Sequence, residues 1–311
     1  MDKHPLSGWV MVICNPVSGG GRGLTLLPLV RRTLESAGVR YVAGTTGGRW
    51  HAAQLARSAV EGGCSAVIAI GGDGTLFEVV NGVMYPGEGA GDTAVGLVMA
   101  GRGSDFGRSL GIPFDAEVAA SQLLEGRTRR VDLGLANFEV AGGRRLTRYF
   151  ANAAGLGFDA EVAVRSNAGP RILGGTIPYL TALLTTLGRY RNKHVTVTLD
   201  DNEPWTARVN SVVIANGQFF GGGMKVAPDA LLTDGELEVV VIGDFGKVEL
   251  VRNVPRVYDG SHITHAKVMV YRARHVEVTS TDRMLLQADG EVLGRAPASL
   301  SIVPLALKFL V

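Results

Sequence analysis

The stretch Ala66-Val67-Ile68-Ala69-Ile70-Gly71-Gly72-Asp73-Gly74-Thr75-Leu76-Phe77-Glu78-Val79-Val80-Asn81-Gly82-Val83 decides the fold. Ala66–Ile70 is apolar at every position, as a strand must be when both of its faces are covered inside a parallel sheet. Leu76, Val79, Val80 and Val83 then fall at helical spacing, so Leu76–Val83 reads as a helix. Between strand and helix lie three glycines around one carboxylate, a composition that lets backbone approach a ligand closely. Thr75 is placed to cap the helix. Folding alone does not require a carboxylate at that point.

Working outward, the same alternation repeats. Trp9–Asn15, Val39–Ala43 and Val95–Ala100 read as strands, and Leu24–Ala37, His51–Glu61 and Ala116–Leu124 as helices. A doubly covered parallel sheet follows, with ligands expected beyond the carboxyl ends of its strands. Two more glycine turns lie at those ends. Asn15-Pro16-Val17-Ser18-Gly19-Gly20-Gly21-Arg22-Gly23 joins the first strand to the first helix, where free N–H groups and the Arg22 charge suit an anion. Gly101-Arg102-Gly103-Ser104-Asp105 repeats the arrangement. Any one of these loops is explained equally well by tight chain reversal. Three on one edge, two with Asp, point to nucleotide phosphates and magnesium.

After about Asp132 the texture changes to short alternating runs: His194–Leu199, Ala207–Ala215, Leu237–Ile242, Ala266–Tyr271, His275–Ser280 and Leu300–Val303. These predict an antiparallel β-sandwich, with a hairpin turn at Asp200–Pro204 and one helical insertion at Ile177–Tyr190. The fold class is therefore α/β plus all-β, a Rossmann-like nucleotide domain over 1–132 followed by a sandwich over 133–299.

Composition narrows the partners. Among 311 residues, 46% hydrophobic and 19% charged residues give a substantial core, and a net charge of +2 argues against a nucleic-acid binder. Cys14 and Cys64 cannot form a disulfide framework, so a reducing, cytoplasmic setting is expected. The residues before Trp9 lack a signal-peptide pattern, and no apolar run reaches the roughly 20 residues of a membrane span. Membrane contact is expected to be peripheral, with the apolar Ile177–Leu187 and the basic Arg165, Arg171, Arg189, Arg191 and Lys193 as one candidate; core packing of that helix is the simpler account. Several nucleotide signatures are missing. There is no Gly-Lys-Ser or Gly-Lys-Thr ending, the first loop lacks Gly-x-Gly-x-x-Gly spacing, and no acidic residue stands near Ala43 to hold a ribose. His262 and His265 lack a Cys or carboxylate partner for a metal.

Taken together the motifs resemble the bacterial diacylglycerol and related lipid kinases, with sphingosine kinases as relatives. Asn15-Pro16 and its loop resemble the first nucleotide motif, and Gly71–Thr75 with Glu78–Gly82 the core motif, although Gly-Gly-Asp-Gly is shared with NAD kinases. Gly157-Phe158-Asp159-Ala160, Asn216 with Gly221–Met224, Ala227-Pro228, Asp234-Gly235-Glu236-Leu237 and Gln287-Ala288-Asp289-Gly290-Glu291 follow in the lipid-kinase order.

The resemblance implies that segment 300–311 returns to complete the first domain. It implies ATP held by Asn15, Pro16, Ser18, Gly19, Arg22, Thr46, Gly71, Gly72, Gly74, Thr75, Glu78, Gly101, Arg102, Gly103 and Asp105, with Asp73 organising Mg2+ and the nearest alternative for Asp73 being a helix cap. It implies Asp289 as the base that accepts the lipid hydroxyl proton, with Glu291 as competitor, sharing a face with it if the segment is extended. From spacing alone, Asp289-Gly290 is only a turn. A second, structural magnesium at Asp234, completed by the backbone carbonyls of Leu231 and Glu236, is implied in the same way, as is a homodimer. Four departures stand out: Arg102 where the family usually has Thr, Ser104 for Asn, Phe77 for Asn, and Trp50 for Gly. Arg102 and Phe77 border the expected nucleotide site. The function implied is ATP- and Mg-dependent phosphorylation of a lipid hydroxyl, most directly that of diacylglycerol, at the inner face of the membrane. An NAD kinase-like enzyme and a nucleotide-binding regulator without turnover are the alternatives.

Overall fold

The computed structural model describes residues 4–85, 92–101, 103–140, 142–168 and 185–311. The chain divides into two compact units, Met1–Val131 with Leu305–Val311, and Asp132–Pro304.

The first unit is a parallel sheet flanked by helices. β1 (Trp9–Cys14), β2 (Arg40–Thr45), β3 (Ala66–Gly71) and β4 (Ala94–Met99) lie in the order β2-β1-β3-β4, with β1 parallel to β2 and β3, and β3 parallel to β4. β3 and β4 are buried at every position, which accounts for their uninterrupted apolar sequence. The helices are α1 (Arg22–Ser36), α2 (His51–Glu61), α3 (Asp73–Val83), α4 (Asp105–Leu110) and α5 (Ala116–Leu124). Val30 and Leu34 of α1 and Leu123 of α5 pack with Val10, Val12, Ile68 and Ile70 in one core. Each such side chain contributes about 1.5–3 kcal/mol by leaving water. The C-terminal residues of the long strand β15 (Glu291–Leu310) run parallel to β4, pairing Lys308 with Ala94 and Phe309 with Val95.

The second unit is antiparallel throughout. Its strands are β5 (Thr128–Glu139, which starts in the first unit), β6 (Arg145–Phe150), β7 (Ala153–Gly157), β8 (Lys193–Leu199), β9 (Trp205–Val209), β10 (Ser211–Ala215), β11 (Leu237–Ile242), β12 (Val268–Ala273), β13 (His275–Ser280), β14 (Leu285–Ala288) and β15. The order β12-β11-β10-β7-β14-β15 forms one surface, and β8 pairs with β9 and β13 in another part. β8 and β9 make the hairpin expected at Asp200–Pro204, with Asp200 in the left-handed region at φ 51°.

Two helices were not legible in the alternation. α6 (Phe158–Ala168) follows β7, and α7 (Lys247–Asp259) follows β11. α7 has no fully buried residue and carries Pro255, while Leu250, Val251, Val254, Val257 and Tyr258 keep an unbroken apolar stripe. Ala207–Ala215, read as one strand, is two strands broken at Asn210, whose N–H bonds to the carbonyls of Ile242 and Gly243. The helical insertion expected at Ile177–Tyr190 lies mostly outside the described residues. Among the described residues, no helix is long and apolar enough to cross a membrane.

Candidate active site

In the first unit, the glycine turns converge at the carboxyl ends of β1, β3 and β4. Asn15 donates its backbone N–H to the Ile70 carbonyl and its side-chain amide to Thr75 Oγ1 at 3.0 Å, tying the first turn to the second. Gly19, at φ 61°, lies so close to the third turn that a Cβ there would sit 2.1 Å from the Ala100 carbonyl oxygen. A Cβ on Gly23 would sit 2.0 Å from the Asn15 carbonyl oxygen, and one on Gly71 2.4 Å from Thr75 Oγ1. These positions tolerate no side chain. Gly19, Gly20 and Gly21 all have positive φ, and α1 begins at exposed Arg22 with no side-chain cap on its first amides. Ser18 faces Gly72 across the gap, and Thr46, just past β2, anchors its N–H on the Cys14 carbonyl. Gly101 and Gly103 leave open space where a Cβ would project. Arg102 lies outside the described residues.

Asp73 begins α3, where the helix dipole favours a negative charge. Its two carboxylate oxygens accept the Asp105 and Phe106 amides at 3.1 and 3.3 Å, so it also starts α4. Thr75 is not the cap of α3: that place belongs to Gly72, and Thr75 lies in the first turn, receiving Asn15. Glu78 holds the start of α2, accepting from the Trp50 N–H at 2.7 Å and the Ala52 N–H at 3.1 Å. Trp50 adopts φ 64°, the conformation that suits the glycine usual there, and its ring tilts against Phe77 at 5.7 Å. Phe77 is fully buried, so it does not line a solvent-facing site as its position in the motif suggested; the two departures pack against each other instead.

In the second unit, Asp289 and Gly290 form the two-residue turn between β14 and β15, with φ 47° and 83° and Ala288 opposite Glu291. This is the Asp-Gly hairpin geometry. Because the segment turns rather than running extended, Asp289 and Glu291 do not share one strand face. The Asp289 carboxylate is buried. Its Oδ1 accepts the Asn152 and Ala153 amides, each at 3.0 Å, and Oδ2 accepts the Ala151 amide at 2.8 Å. A carboxylate offers about four lone-pair positions, so these amides leave one on Oδ2. Burial pushes the carboxyl up to about 6 despite the three amides, which favour the anion.

Asn216, fully buried, ties the same loop by donating to the Asp132 and Ala151 carbonyls at 2.9 and 2.7 Å. None of these loop contacts follows from the local sequence.

Of the set Leu231, Asp234 and Glu236, the two carboxylates face Arg272, which makes a close ion pair with Asp234 and reaches Glu236 through Nε at 3.2 Å. The Leu231 side chain is exposed, and it is the backbone carbonyls of Leu231 and Glu236 that belong to the expected set. Across the strand pair from Arg272, Glu238 is buried, with one oxygen lacking a hydrogen-bond partner, and burial pushes its carboxyl up to about 7. Among the described residues, no group of three His, Cys, Asp or Glu side chains is arranged to hold a metal. A magnesium ion beside Asp73 therefore fits only as a partner of nucleotide phosphates and water, its usual company. His262 is buried with Nε2 against the Val226 carbonyl at 3.0 Å. Asn202, next to Glu203, donates its side-chain amide to the Leu199 carbonyl at 2.8 Å inside the β8–β9 turn.

Comparison with known proteins agrees with this geometry. Residues 9–136 match the model of the diacylglycerol kinase catalytic domain, and residues 152–311 that of the YegS C-terminal NAD kinase beta sandwich-like domain. The chain belongs to the diacylglycerol kinase family. It is 30% identical over 316 residues to a diacylglycerol kinase of Mycobacterium tuberculosis, covering 100% of this chain and 97% of that one. A diacylglycerol kinase of Staphylococcus carnosus is 30% identical over 289 residues, covering 93% and 90%.

The family fold is also seen in the crystal structure of a diacylglycerol kinase from Bacillus anthracis, with a TM-score of 0.73 at 19% identity over 97% of this chain and 96% of that one. An NAD kinase from Archaeoglobus fulgidus in complex with ATP shares the fold more distantly, with a TM-score of 0.53 at 12% identity over 97% and 93%. As a diacylglycerol kinase family member, the chain is a nucleotide-binding lipid kinase.

Proposed function

We propose that this kinase transfers the γ-phosphoryl group of ATP, with Mg2+, to the hydroxyl of diacylglycerol, yielding phosphatidic acid. The observation that carries the nucleotide half is the set of glycines at Gly19, Gly23 and Gly71, where no side chain fits, beside the uncapped start of α1. Backbone amides and Arg22 there would take the phosphate oxygens, with Ser18, Gly72, Gly74 and Thr75 lining the turn. Asn15, Pro16, Thr46 and Glu78 would hold the framework of that turn, and Gly101, Gly103 and Asp105 its far side. When bound, magnesium would neutralise phosphate charge, and Asp73 is the carboxylate placed to hold it or its water.

In the second unit, Asp289 would accept the hydroxyl proton on Oδ2, the oxygen with a lone pair left by the loop amides. Glu291 would act at the rim of the turn. Because the Asp289 carboxyl titrates at about 6, it would be ionised and competent at neutral pH. The kinase would work at the cytoplasmic face of the membrane, held there peripherally, and as a homodimer.

The test is transfer of labelled phosphate from ATP to mixed vesicles containing diacylglycerol, a phosphatidylglycerol-like lipid, a sphingoid base or an undecaprenol-like alcohol, with NAD in parallel. The expected result is magnesium-dependent label on diacylglycerol and none on NAD. Label on NAD, or ATP binding with no lipid phosphorylated, overturns the proposal.

A further inference from the structure

Behind the Asp289-Gly290 turn runs a chain of buried polar contacts. Gln287 on β14 is completely buried, and it uses both ends of its amide. Its Oε1 accepts the Gly290 N–H at 3.0 Å, and its Nε2 donates to Asp159 Oδ2 at 3.1 Å. Asp159 lies in the first turn of α6, at the edge of complete burial. Gly155 on β7, directly opposite Gln287, makes this possible: a Cβ on Gly155 would sit 1.7 Å from Asp159 Oδ2. Asp159 Oδ1 has no hydrogen-bond partner and no solvent, so the carboxylate is held at a real desolvation cost. Such a group is retained for what it orients or discarded for something apolar. The β14–β15 pairing slips between Leu286 and Gln287, which separates the turn-bearing end of the hairpin from the regular ladder. Backbone pairing of Ala288 with Ala154 and the Asp289 N–H bond to the Ala153 carbonyl at 2.9 Å hold the first half of the turn, and the Gln287 side chain adds the hold on the Gly290 N–H.

We propose that Gln287 and Asp159 are positioning residues for Asp289: Asp159 fixes the amide orientation of Gln287, and Gln287 then holds the Gly290 N–H and with it the left-handed turn that presents Asp289. The inference rests on Asp289 being the proton acceptor. The chemistry is directional. Facing a carboxylate, Gln287 has to present its NH2 group to Asp159, which leaves only its oxygen for Gly290. Replacing Asp159 by Asn leaves an oxygen for Gln287 only if the new NH2 group takes the place of Oδ1, where no hydrogen-bond partner stands. In the other orientation Gln287 must turn its own oxygen toward residue 159 and lose Gly290, or set two NH2 groups against each other. Replacing Gln287 by Glu keeps an acceptor for Gly290 but sets two carboxyls together. The two changes combined restore both contacts with donor and acceptor exchanged.

The experiment is that cycle in the full-length kinase: Asp159→Asn, Gln287→Glu, the double variant, and Asp289→Asn, assayed for kcat and KM with diacylglycerol vesicles. Amide exchange of the 286–291 peptide is followed by mass spectrometry. Gln287→Glu is expected to lose about 10- to 100-fold in kcat, the scale of a small misplacement of a catalytic group, and Asp159→Asn less, because one orientation of the new amide keeps an oxygen toward Gln287. KM for ATP should be unchanged and exchange at the turn faster in Gln287→Glu. The double variant should recover to within about threefold of the parent, with slow exchange restored. Additive losses in a folded double variant, or Gln287→Glu with parental kcat, overturn the positioning role. Should the double variant fail to fold, Gln287→Met decides, since it removes both contacts at similar length, and a parental kcat there overturns the proposal. Full activity in Asp289→Asn would instead remove the proton-acceptor reading, an outcome distinct from either.

Discussion

Two turns carry the carboxylates to which the proposed chemistry is assigned, and they hold them by opposite means. The Gly71–Thr75 turn places Asp73 at the start of α3, partly exposed, with its oxygens on two amides of α4. Two helix termini stabilise its charge, and water can reach it. The Asp289-Gly290 turn places its carboxylate in a buried pocket of three loop amides, on a residue with positive φ. There the amides favour the charge while desolvation opposes it, and the result is a carboxyl that titrates at about 6. The first arrangement suits a group that must stay anionic beside phosphates. The second suits one that must take up a proton and release it.

The largest effect should separate the two turns. Asp289→Asn is expected to lower kcat by about 1,000-fold, within the range for a general base, with the ATP dissociation constant unchanged. Asp73→Asn should weaken magnesium-dependent ATP binding as well, measured by calorimetry. If both variants change ATP affinity alike, the contrast fails.

Next in size is the pH response. With Asp289 as the proposed proton acceptor, kcat/KM should fall about tenfold per unit below pH 6. Stability should run the other way. Asp289 and Asp159 are both held above their usual value of 3.8, at about 6, so the folded state binds more protons than the unfolded one between those pH values. Stability from these groups therefore declines as pH rises through that window, and urea titrations at pH 4 and pH 7 would show it.

Gly19→Ala sharpens the first turn's side of the contrast. With Ala100 at 2.1 Å and φ at 61°, it should cost about 2–3 kcal/mol of stability and at least about tenfold in ATP affinity. Glu78→Ala should cost about 2 kcal/mol through the lost α2 amide contacts, with ATP affinity within about twofold of the parent. A large loss of ATP affinity there would return Glu78 to the nucleotide. Smallest is Arg272→Met, at about 1 kcal/mol or less because the guanidinium is half-exposed. Freed of Arg272, Asp234 and Glu236 should make the melting temperature respond more strongly to added magnesium than it does in the parent measured alongside. A magnesium-insensitive variant would show that these carboxylates bind no cation even when released.

The sequence revealed what local periodicity and turn chemistry encode. The all-apolar β3 and β4 gave the parallel sheet, and α2, α5, β11 and β13 begin and end where their patterns do. α7 was missed although Leu250, Val251, Val254, Val257 and Tyr258 keep helical spacing, because Pro255 stands inside it and argues against a helix. The reading of Thr75 as a cap failed because Gly72, without any side chain, already occupies that place. The carboxylate of Asp289 was named through resemblance, yet its loop partners lie more than 130 residues away, beyond any pattern along the chain. The same distance hid the partnership of Gln287 with Asp159. What was missed is long-range polar satisfaction, which leaves no period.

β15 has a consequence for anyone who cuts this kinase into parts. Its final residues belong to the first unit, where Phe309 packs edge-on to Phe106 at 5.6 Å and borders β4 in register. A fragment stopping at Val131 would carry a bare strand edge and a hole the size of a benzyl group, an invitation to aggregate. The nucleotide module is therefore discontinuous in the gene as well as in the chain. A working transplant would need a circularly permuted or grafted copy of residues 305–311, so that the last strand is supplied along with the first four.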